Sequence, residues 1–326
     1  MADATPADRV GVRKSSAKGG LASYAPTYGA LAALVVLLLV NAFLTPNFFD
    51  SNNFRNILLQ VSPTVLVAVG MTFVIATGGI DLSVGSMMAI ASATAAVLLN
   101  QGVLVAIAAG LVVAVSVGAL NGALISTFRI QPIIVTLALL ITGRGVAQVI
   151  SNGGQLIPFT NPRFEYLGKG YMGPAPVQVV VMVLVVVTGI FVLRMTSFGR
   201  YVMAIGGNEA ASRLAGIRVR RTKIAVYALS GLLAGIAGLI ETARLGASDA
   251  QKVGLNIELD AIAAVVVGGT PLTGGRATVV GTLIGALIMQ VITTSFNMNG
   301  IGFSWALVIK AAIIIVAVYI QRPKLA

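Results

Sequence analysis

The chain has 326 residues, of which 57% are hydrophobic and only 10% charged, with a mean hydropathy of +0.96. A soluble chain of this length needs far more charged surface, so the composition places it in a bilayer. Cysteine and histidine are both absent, which excludes disulfides, His- or Cys-ligated metals and every His-dependent triad, an intramembrane Ser–His protease among them.

The long apolar runs lack the period-two alternation of barrel strands. The expected fold is therefore an all-α polytopic bundle. The first 27 residues carry Arg9, Arg13, Lys14 and Lys18 with no apolar core. They read as a disordered basic tail rather than a cleaved signal peptide. Residues 28–326 form the membrane domain. Hydropathy divides it into about ten spans, near 28–44, 61–77, 83–99, 102–126, 130–150, 177–195, 223–243, 259–269, 278–297 and 302–320. The eighth is too short to cross about 30 Å unaided. Between the first two spans, Pro46, Asn47, Asp50, Asn52 and Asn53 predict an outer loop with a short interfacial helix over 46–60.

Gly78 and Gly79 end the second span, and Asp81 is placed to cap the third beside Ser83. Two readings stand here, a plain helix cap or a gate lining the inner pore. Asn121, Thr136 and Gln148 are uncharged polar groups inside neighbouring spans. They serve either as glue between helices or as the lining of a route for a polar solute. Arg144 is a charge within a span, either paired inside the bundle or snorkelling outward, and Lys310 poses the same choice. Small residues recur at spacing four as Gly118/Gly122, Gly231/Gly235 and Gly281/Gly285, which predicts close helix contacts.

Thr196–Gly216 is a polar stretch stranded between spans. Gly206 and Gly207 loosen the backbone, Asn208 is a good N-cap, and Glu209 puts negative charge in the first turn. Ala210 and Ala211 favour helix and leave a smooth face. Arg213 stands at i,i+4 from Glu209, and Gly216 is placed to end the helix. Such a helix suits docking into a groove on a partner, or rests on lipid headgroups through Arg213, Arg218, Arg220 and Arg221.

Glu258 and Asp260 open the eighth span, where the helix dipole favours them. The alternative is an outer mouth. The run Gly268-Gly269-Thr270-Pro271 breaks this helix and leads into a turn partly inside the bundle. The loop 269–276 superficially resembles a phosphate loop, but it lacks the Lys-Ser/Thr that follows the second glycine, and no Walker A sequence occurs elsewhere. By that route the chain does not hydrolyse ATP, any energy it uses comes from a partner or an ion gradient, and no cofactor or metal of its own is expected.

Basic residues set the orientation. Fifteen (Arg9, Arg13, Lys14, Lys18, Arg129, Arg194, Arg200, Arg213, Arg218, Arg220, Arg221, Lys223, Arg276, Arg322, Lys324) fall on one side. Five (Arg55, Arg163, Lys169, Arg244, Lys252) fall on the other. The first side is cytoplasmic by the positive-inside rule, which puts both termini and the 196–222 loop there. The net charge of +12 then reports topology, and no nucleic-acid partner is expected.

GGNEAASRLAGI is similar to the cytoplasmic coupling segment of bacterial ABC-importer permeases of the ribose/monosaccharide type. ATGGIDLSVGS (Ala76–Ser86), ELDAIAAVVVGGTPLTGG (Glu258–Gly275) and VGTLIGALI (Val280–Ile288) agree with the same family. The resemblance runs from about Val69 to the C-terminus. It implies a partner ATPase subunit, often a double cassette, that uses the ATP and grips the helix made by Gly207, Asn208, Glu209, Ala210, Ala211, Arg213 and Gly216. It also implies a periplasmic sugar-binding protein and a second permease copy or paralogue. The candidates for pore or gate are Asp81, Ser83, Asn121, Thr136, Gln148, Asp260 and Thr270. An amino-acid or nucleoside permease of the same superfamily, or an ion-coupled carrier, remains the alternative. The 151–176 loop carries no signature that names the cargo.

Overall fold

The computed structural model describes residues 25–321, so nearly all of the expected basic tail lies outside the described residues. The helices are α1 (Ala25–Leu44), α2 (Ser51–Ala76), α3 (Val84–Leu98), α4 (Val103–Phe128), α5 (Pro132–Ile150), α6 (Pro162–Lys169), α7 (Val177–Met195), α8 (Ser197–Gly207), α9 (Glu209–Leu214), α10 (Val219–Leu245), α11 (Ile257–Val267), α12 (Val279–Met298) and α13 (Phe303–Gln321). Eight of them are long and apolar enough to cross a bilayer. With α11 and α13 they account for the ten expected spans, and the all-α membrane fold stands. Four two-residue strands pair in the loops at the end where α5 finishes and α7 begins. There β1 (Ile157–Pro158) meets β4 (Ala247–Ser248), and β2 (Tyr171–Met172) meets β3 (Ala175–Pro176).

α2 is the centre of the bundle. From Val61 to Ala76 all its residues but Thr64 are buried, and it packs against α7, α10, α11 and α12. α3 is nearly as enclosed, between α4, α5 and α10, while α1 rests on α12 at the periphery. The expected close approaches occur. A Cβ on Gly118 would strike the Tyr227 carbonyl, one on Gly122 the α10 backbone at Ile224, and one on Gly231 the Ala114 carbonyl. The glycine pairs of α4 and α10 therefore face each other across one seam. Gly281 and Gly285 press in the same way on Gly268 and Ala264 of the α11 segment. Buried hydroxyls add polar contacts between helices, as where Thr72 of α2 meets Thr282 of α12 at 2.8 Å.

One expectation fails. Residues 51–60 are not a separate interfacial helix but the first turns of α2, which runs unbroken past Pro63. Asp50 caps it, accepting from the Asn52 amide at 2.7 Å. Proline lacks the N–H that would bind the carbonyl four residues back, so Leu59 O is left free. Arg244 of α10 donates to that carbonyl at 3.5 Å, and a neighbouring helix satisfies what the proline released.

Candidate functional site

The polar segment is two helices rather than one. Thr196 caps α8 by accepting from the Gly199 amide at 3.2 Å, and α8 buries Gly199, Val202 and Ile205 along one face. Gly206 and Gly207, expected to loosen the chain, instead form the last turn of α8. The preceding amphipathic residues hold that turn against the bundle. Asn208 then serves both helices, ending α8 and capping α9, with its side chain accepting from the Ala211 amide at 3.0 Å. Ala210 and Ala211 are exposed, and Gly216 follows α9 with φ +79°, the left-handed conformation that glycine adopts without strain.

Glu209 joins this helix to the next span. Arg213 donates to one of its carboxylate oxygens at 2.7 Å and Lys223 of α10 to the other at 2.6 Å. Partial burial works to raise the carboxyl, but the hydrogen bonds and charges of Lys223 and Arg213 hold it below the usual carboxylate value. The sequence reading counted Lys223 only among the basic residues, since nothing local links positions 209 and 223.

Behind α8 lies a junction made of glycine backbone. A Cβ on Gly206 would collide with the Ala76 carbonyl at the end of α2 and with the Gly275 amide. The Gly275 N–H donates to that same Ala76 carbonyl at 3.0 Å. Gly274 and Gly275, both at positive φ, bring the α11–α12 loop onto Gly78 and Gly207. Three chain segments thus meet where only glycine permits contact: the end of α8, the loop after α2, and the loop after α11. The same turn buries Thr270 completely, and its hydroxyl accepts from the Thr278 amide at 3.1 Å. The break after Gly268 places this turn partly inside the bundle, with Thr270 buried and Leu272 and Thr273 exposed.

Next to that junction sits a buried polar cluster. Asp81 is fully enclosed and accepts from the Ser83 hydroxyl at 2.6 Å, the Ser83 amide at 3.1 Å and the Ser230 hydroxyl of α10 at 2.8 Å. It does not cap α3 directly. Ser83 occupies the N-cap position without a side-chain cap bond, and Asp81 instead closes a tight turn around it. Asn121 of α4 donates to the Ser83 hydroxyl at 2.7 Å. Thr136 of α5 donates to Pro132 O at 2.9 Å and approaches Ile80 O at 3.3 Å. Two buried oxygens, Asn121 Oδ1 and Tyr227 Oη, have no protein partner. The structure therefore brings Asp81, Ser83, Asn121 and Thr136 together and adds Ser230. These are uncharged donors and acceptors around one carboxylate, a chemistry suited to a polyhydroxylated solute or to holding an inner gate.

Gln148 and Asp260 stand apart from this cluster. Gln148 is three helical turns from Thr136 along α5. Asp260, at the start of α11, pairs with Lys310 of α13 at 2.9 Å, so Lys310 has a partner within the bundle. Arg144 also turns inward. Its guanidinium donates to Ala250 O at 3.0 Å, Val253 O at 2.7 Å and Gly254 O at 3.4 Å, fastening the α10–α11 loop to α5.

Residues 53–318 match the family model described as branched-chain amino acid transport system / permease component. The chain is similar to the ribose import permease protein RbsC of Escherichia coli strain K12, 44% identical over 300 residues, or 90% of this chain and 93% of that one. It is 38% identical to the galactofuranose transporter permease protein YtfT of the same strain, covering 90% and 89% of the two chains. With the L-arabinose ABC transporter permease protein AraH of Azospirillum brasilense it shares 35% identity over 98% of this chain and 94% of that one. No solved structure matches the chain.

Proposed function

Since the chain belongs to the branched-chain amino acid transport system / permease component family, we propose that it is the membrane subunit of a bacterial ABC importer carrying a monosaccharide, a pentose, hexose or close relative. It is a multi-pass inner-membrane protein. The observation that carries the sugar reading is similarity over nearly the whole chain to permeases named for ribose, galactofuranose and arabinose. The amino-acid alternative is favoured only by the family's description.

Energy comes from a partner ATPase, because this chain has no Walker A sequence, and ATP is that partner's cofactor. A soluble sugar-binding protein delivers the cargo outside, and a second permease copy or paralogue completes the pore. Both termini and the α8–α9 segment face the cytoplasm, as the distribution of basic residues argues. The exposed alanines of α9 present a smooth face for the ATPase, and Glu209 ties that face to α10. Closure of the ATPase displaces α8 and α9. The glycine junction carries this displacement to the end of α2, to the α11–α12 loop and so to the Asp81 cluster.

Copurification of the tagged chain from its native membrane tests the importer reading. An ATPase and a sugar-binding protein in the eluate support it, and ligand screening on the soluble partner then names the cargo. Solute movement by the chain alone without ATP contradicts it. For coupling, Glu209→Lys should strongly reduce ATP-driven transport and loosen association with the ATPase. The tie should also be pH dependent. A carboxyl held below its ordinary value contributes fully above that value, and the contribution disappears as pH falls through the lowered one.

A further inference from the structure

Beside α9 is a concavity of about 440 Å³ lined by Arg129, Arg213, Arg218, Arg220 and Arg221. Arg213 is engaged by Glu209, but among the described residues the other four have no acidic partner. Arg218 is the N-cap residue of the 27-residue α10 and provides no side-chain cap, so the positive end of that helix also opens here. Ser126, on the same wall, has a buried hydroxyl with no partner. Arg129 ends the 26-residue α4, which at 1.5 Å per residue is long enough for its last turn to reach headgroup depth. Phe128 and Ile130 on either side of it, and Ile134 one turn into α5, are exposed apolar side chains.

We propose that this concavity holds the phosphate headgroup of an anionic phospholipid of the inner leaflet, with its acyl chains along Phe128, Ile130 and Ile134. Four unpaired guanidiniums match phosphate geometry. The volume suits a headgroup, whereas a single carboxylate from a protein partner would fill only a small part of it. The exposed apolar side chains that flank Arg129 in sequence favour a lipid over a free anion. The inference rests on the orientation proposed above and not on the cargo. A detergent-based measurement is independent of both, so its failure leaves the transport reading standing.

The experiment is native mass spectrometry of the purified importer complex titrated with dioleoyl phosphatidylglycerol or dioleoyl phosphatidylcholine. The wild type should retain phosphatidylglycerol about tenfold better, as a few arginine–phosphate contacts at a membrane surface imply. Arg129→Gln with Arg220→Gln should remove that preference, and the corresponding lysine pair should restore part of it. A millimolar excess of inorganic phosphate should leave the lipid bound. Three results overturn the proposal: equal retention of the two lipids by the wild type, unchanged selectivity in the glutamine variant, or displacement by inorganic phosphate. Loss of the ATPase from the glutamine variant with its lipid selectivity intact would assign these arginines to the protein interface instead. If the glutamine variant does not assemble, wild-type selectivity decides.

Discussion

At the end of the bundle where α8 and α9 lie, segments touch through glycine backbone, at Gly206, Gly207, Gly274, Gly275 and Gly78, with one main-chain bond from Gly275 to Ala76. At the opposite end the loops are stitched by side chains and short strands. Arg144 grips three carbonyls, β1 pairs with β4, and Ser92 of α3 links Ser248 at 2.7 Å and Thr242 at 2.6 Å. Backbone contact leaves no rotamer to absorb a displacement, so the glycine junction at the α8 end suits transmission. At the other end, charge-assisted bonds from Arg144 hold the α10–α11 loop in place. In the proposed mechanism, transmission and restraint belong to opposite ends of the same helices.

The largest effect is expected from filling the glycine junction. Gly206→Val drives a branched side chain into the Ala76 carbonyl and the Gly275 amide, costing about 3 kcal/mol. ATP-driven uptake should be lost while the exposed face of α9 still binds the ATPase. Asp81→Ala comes next. It strands the buried hydroxyls of Ser83 and Ser230, for about 2 kcal/mol, read as a lower unfolding temperature in detergent, and Asp81→Asn should recover part of it. At the other end, Arg144→Met should cost about 1.5 kcal/mol and raise hydrogen exchange over 249–256 with little change at α9. Least of all, Glu165→Gln removes an exposed pair with Lys169 in α6 and should change neither unfolding nor uptake measurably.

Much of the bundle was legible because lipid imposes long apolar runs and leaves little room for other folds. Each expected span falls on a helix, and the glycine pairs of α4 and α10 meet as their spacing implied. The start of α2 was misread because the polar residues at 50–53 mark a cap, not a loop. Within the candidate site, Asn208, Glu209 and Gly216 were visible because capping is local. Ser230 was not, since it lies 149 residues from Asp81 and looks like any serine in an apolar helix. Gln148 was grouped with Asn121 and Thr136 by residue type, which carries no information about depth along the span.

The central claim is that α9 and the glycine junction move as one body when the ATPase closes. This cysteine-free chain allows a direct test by spin labels in the assembled complex. Cysteines would replace Ala211 on α9, Thr273 in the α11–α12 loop and Gln251 at the other end, all exposed. On trapping the ATP-bound state, the 211–273 distance should stay constant while the 211–251 distance changes. A 211–273 distance that shifts or broadens while 273–251 stays fixed would mean that α9 moves without the junction, contradicting the account.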